Sequence, residues 1–219
     1  MTMELKQMGP TVIVSEDLET GLEETVFIRP VANDAEMKMV HRLTHDCYVA
    51  KGYAKPQPNG QLNHYPEFDR LPQTTVFVAI HHGEVVGSIS MTVDGPKGLT
   101  VDGDFKEECD AMRKSGRKLA TAWRLVMKHS VNPSRRILMA LIKETATLAT
   151  RKGANTWLFT VNPRHESVYR RLLKMYAVSY KEGTHGLVSA PAVLLRSDNE
   201  SLSGAWRSLV ESTQIGVTA

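Results

Sequence analysis

Strand-like and helix-like segments alternate along this chain, and that alternation limits the folds it can adopt. β-branched and aromatic residues dominate short runs at 25–31, 74–94, 119–127 and 155–163, as is typical of buried strands. Between these runs, apolar residues recur every three or four positions, which indicates amphipathic helices. This order predicts an α/β protein in which crossover helices flank a mixed sheet.

The chain divides unevenly into a short arm and a long remainder. Residues 1–24 have weak periodicity and several acidic residues, so we assign them to an N-terminal arm. Residues 25–219 are long enough to form a single domain with its own core. The predicted helices of this domain lie at 33–53, from Phe105 to an end at Gly116, after Ser134, at 164–176 and near 201–213.

Composition and charge exclude several classes of protein. No apolar run approaches the roughly 20 residues that span a bilayer, and the N-terminus lacks the pattern of a secretory signal. Two cysteines form no disulfide framework, so we expect a reduced, cytoplasmic protein without an integral membrane segment. A net charge of +3 is too small to indicate nucleic acid, but clustered cations would suit an acidic partner.

Two motifs resemble parts of the Gcn5-related N-acyltransferase fold. The segment "VNPRHESVYRRLL" places Asn162 at a strand end and Tyr169 seven residues later on the next helix, a spacing similar to the last core motif of that fold. The hairpin "FVAIHHGEVVGSISMTVD" is centred on His82-Gly83. It resembles the hairpin that precedes the acyl-donor site in those enzymes.

A longer series of segments is more specific. "LTHDCYVAKGYAKP", "GEVVGSISMTVDGPKGLTVDGDFKEECDAMRKSGRKLA", "VNPRH…YRRLL" and "SAPAVLL" resemble, in order, the long-chain N-acyl amino acid synthases over residues 27–197. The resemblance implies a Gcn5-related fold with a splayed central strand pair. It also implies transfer of a long acyl chain from an acyl carrier protein thioester to the amine of an amino acid, without a metal or a tightly bound cofactor.

The chain departs from this pattern in ways that bear on the donor and the base. Thr121 stands where such enzymes favour Glu, three residues before Arg124, so no general base is assigned there. The segment "HSVNPSRRIL" lacks the glycine-rich pyrophosphate loop of coenzyme A users. This absence favours a carrier protein over coenzyme A as the donor.

Amide formation from a thioester needs a polarised carbonyl, a neutral amine and a stabilised leaving thiolate. In the fold that the resemblance implies, backbone N–H groups of Trp123, Arg124 and Leu125 polarise the carbonyl. Tyr169 is the candidate general acid, because a phenol can donate a proton to the leaving thiol. We expect Asn162 to orient the backbone at its strand end.

The general base stays open among three side chains and a water relay. Glu67 and Asp69 lie in the loop "HYPEFDRLP" before the hairpin, where either could hold the ammonium. His129 follows the strand at 119–127 and has a suitable intrinsic pKa. An α-amino group has a pKa of about 8, so a modest neutral fraction exists at pH 7 without any base.

Arg135 and Arg136 occupy the first turn of a predicted helix, where acidic residues are the usual choice. A helix N-terminus binds phosphate groups well, so we predict that both arginines bind the phosphopantetheine phosphate or the acidic carrier protein. Lys128, Arg164, Arg170 and Arg171 are predicted to extend this basic patch, which would suit an acidic carrier protein.

Three alternative functions remain at this stage. An acyl-homoserine lactone synthase shares the fold, although Ser90 and Thr121 stand where we expect an arginine and a glutamate in such enzymes. A non-catalytic domain of this fold would bind a carrier protein or a lipid without turnover. A coenzyme A-dependent acetyltransferase is the third. We expect no nucleic-acid partner for any of them.

Overall fold

The computed structural model describes residues 10–16, 23–128, 134–184 and 190–199. The described strands are β1 (Thr11–Glu16), β2 (Glu23–Pro30), β3 (Thr74–His81), β4 (Glu84–Val93), β5 (Leu119–Met127), β6 (Thr156–Val161), β7 (Tyr176–Lys181) and β8 (Ala192–Asp198). The α-helices are α1 (Asp34–Ala50), α2 (Pro66–Asp69), α3 (Asp102–Lys114), α4 (Ser134–Arg151) and α5 (Glu166–Leu173).

The strands form a sheet in the order β1-β2-β3-β4-β5-β6-β8-β7, and its pairs β1–β2, β2–β3, β3–β4, β6–β8 and β7–β8 are antiparallel. The predicted mixed α/β architecture is confirmed. Within the described ranges, no helix combines the length and apolar composition that crossing a bilayer requires.

One predicted segment has a different structure, and another lies outside the described residues. Residues 11–16, assigned to an arm, form strand β1, in which Val12 pairs with Phe27 and Ile13 with Val26 of β2. The acidic residues around this segment hid its short run of β-branched residues, Thr11 to Val14. The predicted helix near 201–213 lies outside the described residues.

The chain forms two compact units, each with a hydrophobic core. Of the described residues, those within 1–92 and 122–148 form unit 1, and those within 93–121 and 149–219 form unit 2. The core of unit 1 is formed where α1 packs on the sheet, through Val40, Leu43, Cys47, Val76, Val78, Val85 and Val126. The core of unit 2 surrounds α3, through Leu99, Val101, Phe105, Cys109, Met112, Leu119, Leu158, Ala192 and Leu194.

Local sequence signals explain how the elements of unit 1 begin and turn. The side chain of Asn33 caps α1 by accepting a hydrogen bond of 3.0 Å from the backbone N–H of Glu36, as its residue type predicts. The predicted hairpin turns at His82 and Gly83, whose φ angles are 48° and 79°. Positive φ at both positions is typical of a two-residue turn that matches the twist of its strands.

Candidate active site

Arg124 interrupts strand β5 with a left-handed backbone conformation. Its φ is 52°, and of the three non-glycine residues with positive φ in the described ranges it alone lies inside a strand. His82 lies in a hairpin turn and Lys174 caps a helix. Such a conformation costs about 1–3 kcal/mol and persists only where surrounding contacts enforce it. The irregularity changes the direction of the backbone amides near Trp123 and Leu125.

The Arg124 side chain is held in place by a buried polar network. Its guanidinium is 0% exposed and forms a bidentate pair with Asp69, with Nη1–Oδ2 at 2.9 Å and Nη2–Oδ1 at 2.7 Å. Its Nε and Nη2 also donate to the hydroxyl of Ser90, at 3.0 and 2.7 Å. The guanidinium carbon lies 4.6 Å from the centre of the Trp123 ring. These contacts fix Arg124 from several sides.

The carboxyl group of Asp69 is ionised within this network. Burial favours its neutral form, but hydrogen bonds from His41 at 3.2 Å and from Arg124 outweigh that effect and lower its pKa. The carboxylate is therefore ionised at neutral pH and shared by two donors. Both oxygens of the Asp69 carboxylate, which was predicted to hold the substrate ammonium or to act as the base, are therefore engaged by Arg124 and His41.

Aromatic side chains connect the same strand to His64, a half-buried histidine. Tyr65 packs edge-on against Trp123 with ring centres 5.3 Å apart, and its ring centre lies 4.1 Å from that of His64. Tyr48 lies edge-on to His64 at 5.5 Å. The indole N–H of Trp123 donates to the hydroxyl of Thr92 at 3.0 Å. The result is a continuous aromatic wall beside Arg124.

His64 belongs to this site, although the sequence patterns did not indicate it. Burial, together with the nearby positive charge of Arg124, lowers its pKa to about 4, so the imidazole is neutral at pH 7. Its Nδ1 is buried and has no hydrogen-bond partner among the described residues. Leaving such a group unpaired costs about 1–3 kcal/mol. A sequence signal existed, since His64 lies in the loop that contains Glu67 and Asp69.

The other predicted residues of unit 1 lie at its surface or in β5. Glu67 is exposed on α2, and Leu125 is partly buried in β5. Lys128 forms an ion pair with Glu84 at 2.7 Å. His129 lies outside the described residues. None of these observations brings Glu67 into the Arg124 network.

Arg135 and Arg136 are both exposed in the first turn of α4. Arg136 donates to the backbone carbonyl of Val14 at 3.3 Å. Neither arginine forms an ion pair with a carboxylate in the part of the chain that the structure describes.

The predicted residues of unit 2 lie around the start of α5. Asn162 accepts a hydrogen bond of 3.2 Å from the backbone N–H of Arg164 and donates to the carbonyl of Pro191 at 3.4 Å. Tyr169 packs against Phe159 with ring centres 5.8 Å apart. Burial raises the pKa of Tyr169 to about 12. Its hydroxyl has no partner within the described ranges.

Thr121 fills a structural position. It is fully buried, and its hydroxyl donates to the backbone carbonyl of Leu158 at 3.1 Å. The threonine found where related enzymes favour glutamate therefore satisfies a backbone group in unit 2. It supplies no ionisable group for the chemistry.

Comparisons with known proteins identify the family and the fold. A family model described as N-acyl amino acid synthase FeeM matches residues 39–198, whereas no curated protein matches the chain significantly. The solved structure of FeeM, an N-acyl amino acid synthase from uncultured soil microbes, is 24% identical with a TM-score of 0.68. The aligned region covers 80% of this chain and 91% of the FeeM chain.

Two further structures share the architecture at lower identity. The GNAT domain of PAT from S. lividans is 16% identical, with a TM-score of 0.53 and coverage of 86% of this chain and 96% of its own. BjaI, a CoA-dependent acyl-homoserine lactone synthase, is 12% identical, with a TM-score of 0.53 and coverage of 90% and 88%. These similarities confirm the predicted Gcn5-related fold.

Proposed function

The chain belongs to the FeeM family of N-acyl amino acid synthases, and we propose that it transfers a long acyl chain from an acyl carrier protein to an amino acid. Its membership of this family makes it an N-acyltransferase. The carrier-protein donor and the long chain are the proposed part. The observation that carries the proposal is the left-handed Arg124 inside β5, fixed by a buried pair with Asp69.

In the proposed reaction, the amine nitrogen attacks the thioester carbonyl. The new C–N bond forms as the C–S bond breaks, so the product is an amide and the leaving group is the pantetheine thiolate. Backbone N–H groups around Arg124 polarise the carbonyl and stabilise the oxyanion that develops on it. A preorganised donor of this kind contributes about 2.7–4 kcal/mol to transition-state stabilisation.

His64 is suited to orient the attacking amine. An imidazole with a pKa of about 4 is a poor proton store beside an amine whose pKa is about 8. Its unpartnered Nδ1 is instead an acceptor for an N–H of the neutral amine. We propose this acceptor role for His64, with Asp69 fixing Arg124. Glu67, His129 and a water relay remain proposed routes for the proton that the amine loses.

Tyr169 remains the proposed donor to the leaving thiolate, with a modified role. A phenol whose pKa is about 12 does not release its proton readily to a thiolate whose conjugate acid has a pKa of about 8.5. It can donate a hydrogen bond and stabilise the charge on sulfur. Asn162 orients the backbone just before α5, the helix that carries Tyr169.

A carrier protein is the proposed donor because of exposed cations and the absent pyrophosphate loop. Arg135 and Arg136 form no ion pair with a described carboxylate, and the helix they begin offers N–H donors to a phosphate. Lys128 and Arg164 are proposed to widen this patch, although Lys128 must first release Glu84. Phosphopantetheine carries a phosphate diester that would meet the arginines.

Replacing Arg135 and Arg136 together with alanine should weaken carrier-protein binding roughly tenfold at low ionic strength and flatten its salt dependence. Lys143→Ala is the matched control, because Lys143 is an exposed cation further along α4. Fluorescence anisotropy of a labelled acyl carrier protein measures both quantities. Unchanged affinity and an unchanged salt slope would remove the arginines from the docking surface.

The function itself is tested by incubating the protein with a long-chain acyl carrier protein and a mixture of amino acids. We expect thiol release and an N-acyl amino acid detectable by mass spectrometry. Parallel reactions replace the donor with acyl-coenzyme A or add S-adenosylmethionine. Faster turnover with coenzyme A would contradict the carrier-protein donor, and a lactone product would favour the homoserine lactone synthases. Carrier binding without thiol release would indicate a non-catalytic domain.

A further inference from the structure

Three side chains of types that bind metal ions converge in unit 1 at the turn between β3 and β4. His81 ends β3, and His82 begins the turn. His81 pairs with Val26 of β2 in the sheet. Glu24 lies two residues before Val26, and side chains two apart on a strand share a face. The carboxylate therefore extends toward the turn.

The donor atoms of this trio have the spacing of a metal site. Glu24 Oε2 lies 3.1 Å from His82 Nε2 and forms a close contact with His81 Nε2. All three atoms lie within 4.8 Å of one another. Zinc bonds of about 2.0–2.1 Å in a tetrahedron place neighbouring ligand atoms about 3.3 Å apart. Small side-chain rotations would bring the three atoms to that spacing.

The conformation of the turn is what allows two adjacent histidines to share one carboxylate. Consecutive residues of a strand point to opposite faces. His82 departs from the strand with φ of 48°, and its ring packs 4.1 Å from that of His81. Asparagine and glycine are the usual residues in such a turn. The histidine found here instead directs a second imidazole to Glu24.

The charges around the trio leave it open to a cation. Glu84, opposite His81 in the hairpin, is occupied by Lys128 at 2.7 Å and so is not a fourth ligand. The His82 side chain is 73% exposed, which gives an ion and a completing water access from solvent.

We propose that Glu24, His81 and His82 bind one Zn²⁺ ion at the hairpin turn, with water in the remaining coordination position. Imidazole and carboxylate donors suit Zn²⁺, whereas Mg²⁺ requires oxygen ligands in an octahedron. The ion would join the start of β2 to the β3–β4 turn. The proposal does not depend on the acyl-transfer function.

The experiment uses the full-length protein without an affinity tag, freed of metal by a chelator that is then removed, and titrated with ZnCl₂ in a calorimeter. We expect about one ion per chain, weaker or absent Mg²⁺ binding, and a Tm that rises with Zn²⁺. Glu24→Gln and His82→Asn should each weaken binding at least tenfold. Asparagine tolerates the left-handed conformation, so His82→Asn preserves the turn.

Two controls keep the result specific. Glu84→Gln removes a carboxylate from the same hairpin, and His45→Asn removes a histidine that pairs with Asp46 elsewhere in unit 1. Both should bind Zn²⁺ as the wild type does. The proposal would be overturned if the wild type bound no Zn²⁺, or if Glu24→Gln and His82→Asn bound Zn²⁺ as tightly as the wild type. The trio would then be an ordinary ion pair.

Discussion

Arg124→Met should lower the free energy of unfolding by about 3–5 kcal/mol. The substitution removes the bidentate partner of Asp69, whose side chain is only 8% exposed, and leaves a buried carboxylate supported by His41 alone. Removing one partner of a buried pair costs much more than the pair contributes, because the remaining charge is desolvated without compensation. Urea denaturation followed by circular dichroism measures the loss.

A double-mutant cycle separates this network from general effects of mutation. Asp69→Asn combined with Arg124→Met should destabilise the protein by less than the sum of the single changes, because the double variant buries no lone charge. Lys106→Met, which removes an exposed pair with Asp110, should leave the unfolding curve unchanged. Additive effects at Asp69 and Arg124 would mean that the two side chains do not stabilise each other.

The lowered pKa of Asp69 adds a pH dependence to the same experiment. A carboxyl whose pKa is lower in the folded state stabilises the protein above its unfolded pKa of about 3.9. That contribution is lost as the pH falls through the lowered folded value. The wild type should therefore lose more stability on acidification below pH 4 than Asp69→Asn does.

Tyr169→Phe should reduce kcat about 100-fold, in the range measured when a single preorganised donor to a developing anion is removed. The substitution deletes only the hydroxyl and keeps the ring that packs on Phe159. Because the pKa of Tyr169 is about 12, the phenol stays protonated up to pH 10. Its role predicts no fall in wild-type rate below that pH.

Tyr180→Phe is the matched control for this prediction. Tyr180 lies on β7 in the same unit, and its hydroxyl donates to Glu166 at 2.9 Å on an exposed surface. Its removal should leave kcat unchanged. Steady-state measurements with a saturating acyl donor compare both variants with the wild type. If Tyr169→Phe turned over at the wild-type rate, the hydroxyl would have no part in the chemistry.

The parts of the fold that depend on local signals were predictable from the sequence. The bounds of β5, the turn at His82-Gly83 and the cap at Asn33 each follow from residue types within a few positions. Strand β1 was not predictable, because it is stabilised by its pairing with β2. Its own residues supply only a short β-branched run, Thr11 to Val14, beside acidic neighbours.

The site depends on contacts that no local pattern reports. Glu67 and Asp69 appeared equivalent in sequence, but residues two apart on a helical turn face different directions. Asp69 points inward to a residue 55 positions away, whereas Glu67 faces solvent. The left-handed conformation of Arg124 and the burial of His64 likewise arise from tertiary packing. The sequence identifies strand β5 and the loop that contains Asp69, but it does not predict the contacts between them.

The proposed reaction depends on polarisation of the thioester carbonyl by the irregular backbone around Arg124. A crystal structure with a non-hydrolysable acyl-pantetheine analogue tests this most directly. We expect the analogue's carbonyl oxygen within about 3.1 Å of a backbone nitrogen between Trp123 and Leu125, the distance of a working oxyanion donor. An analogue bound with its carbonyl turned away from β5, or bound at another surface, would contradict the account.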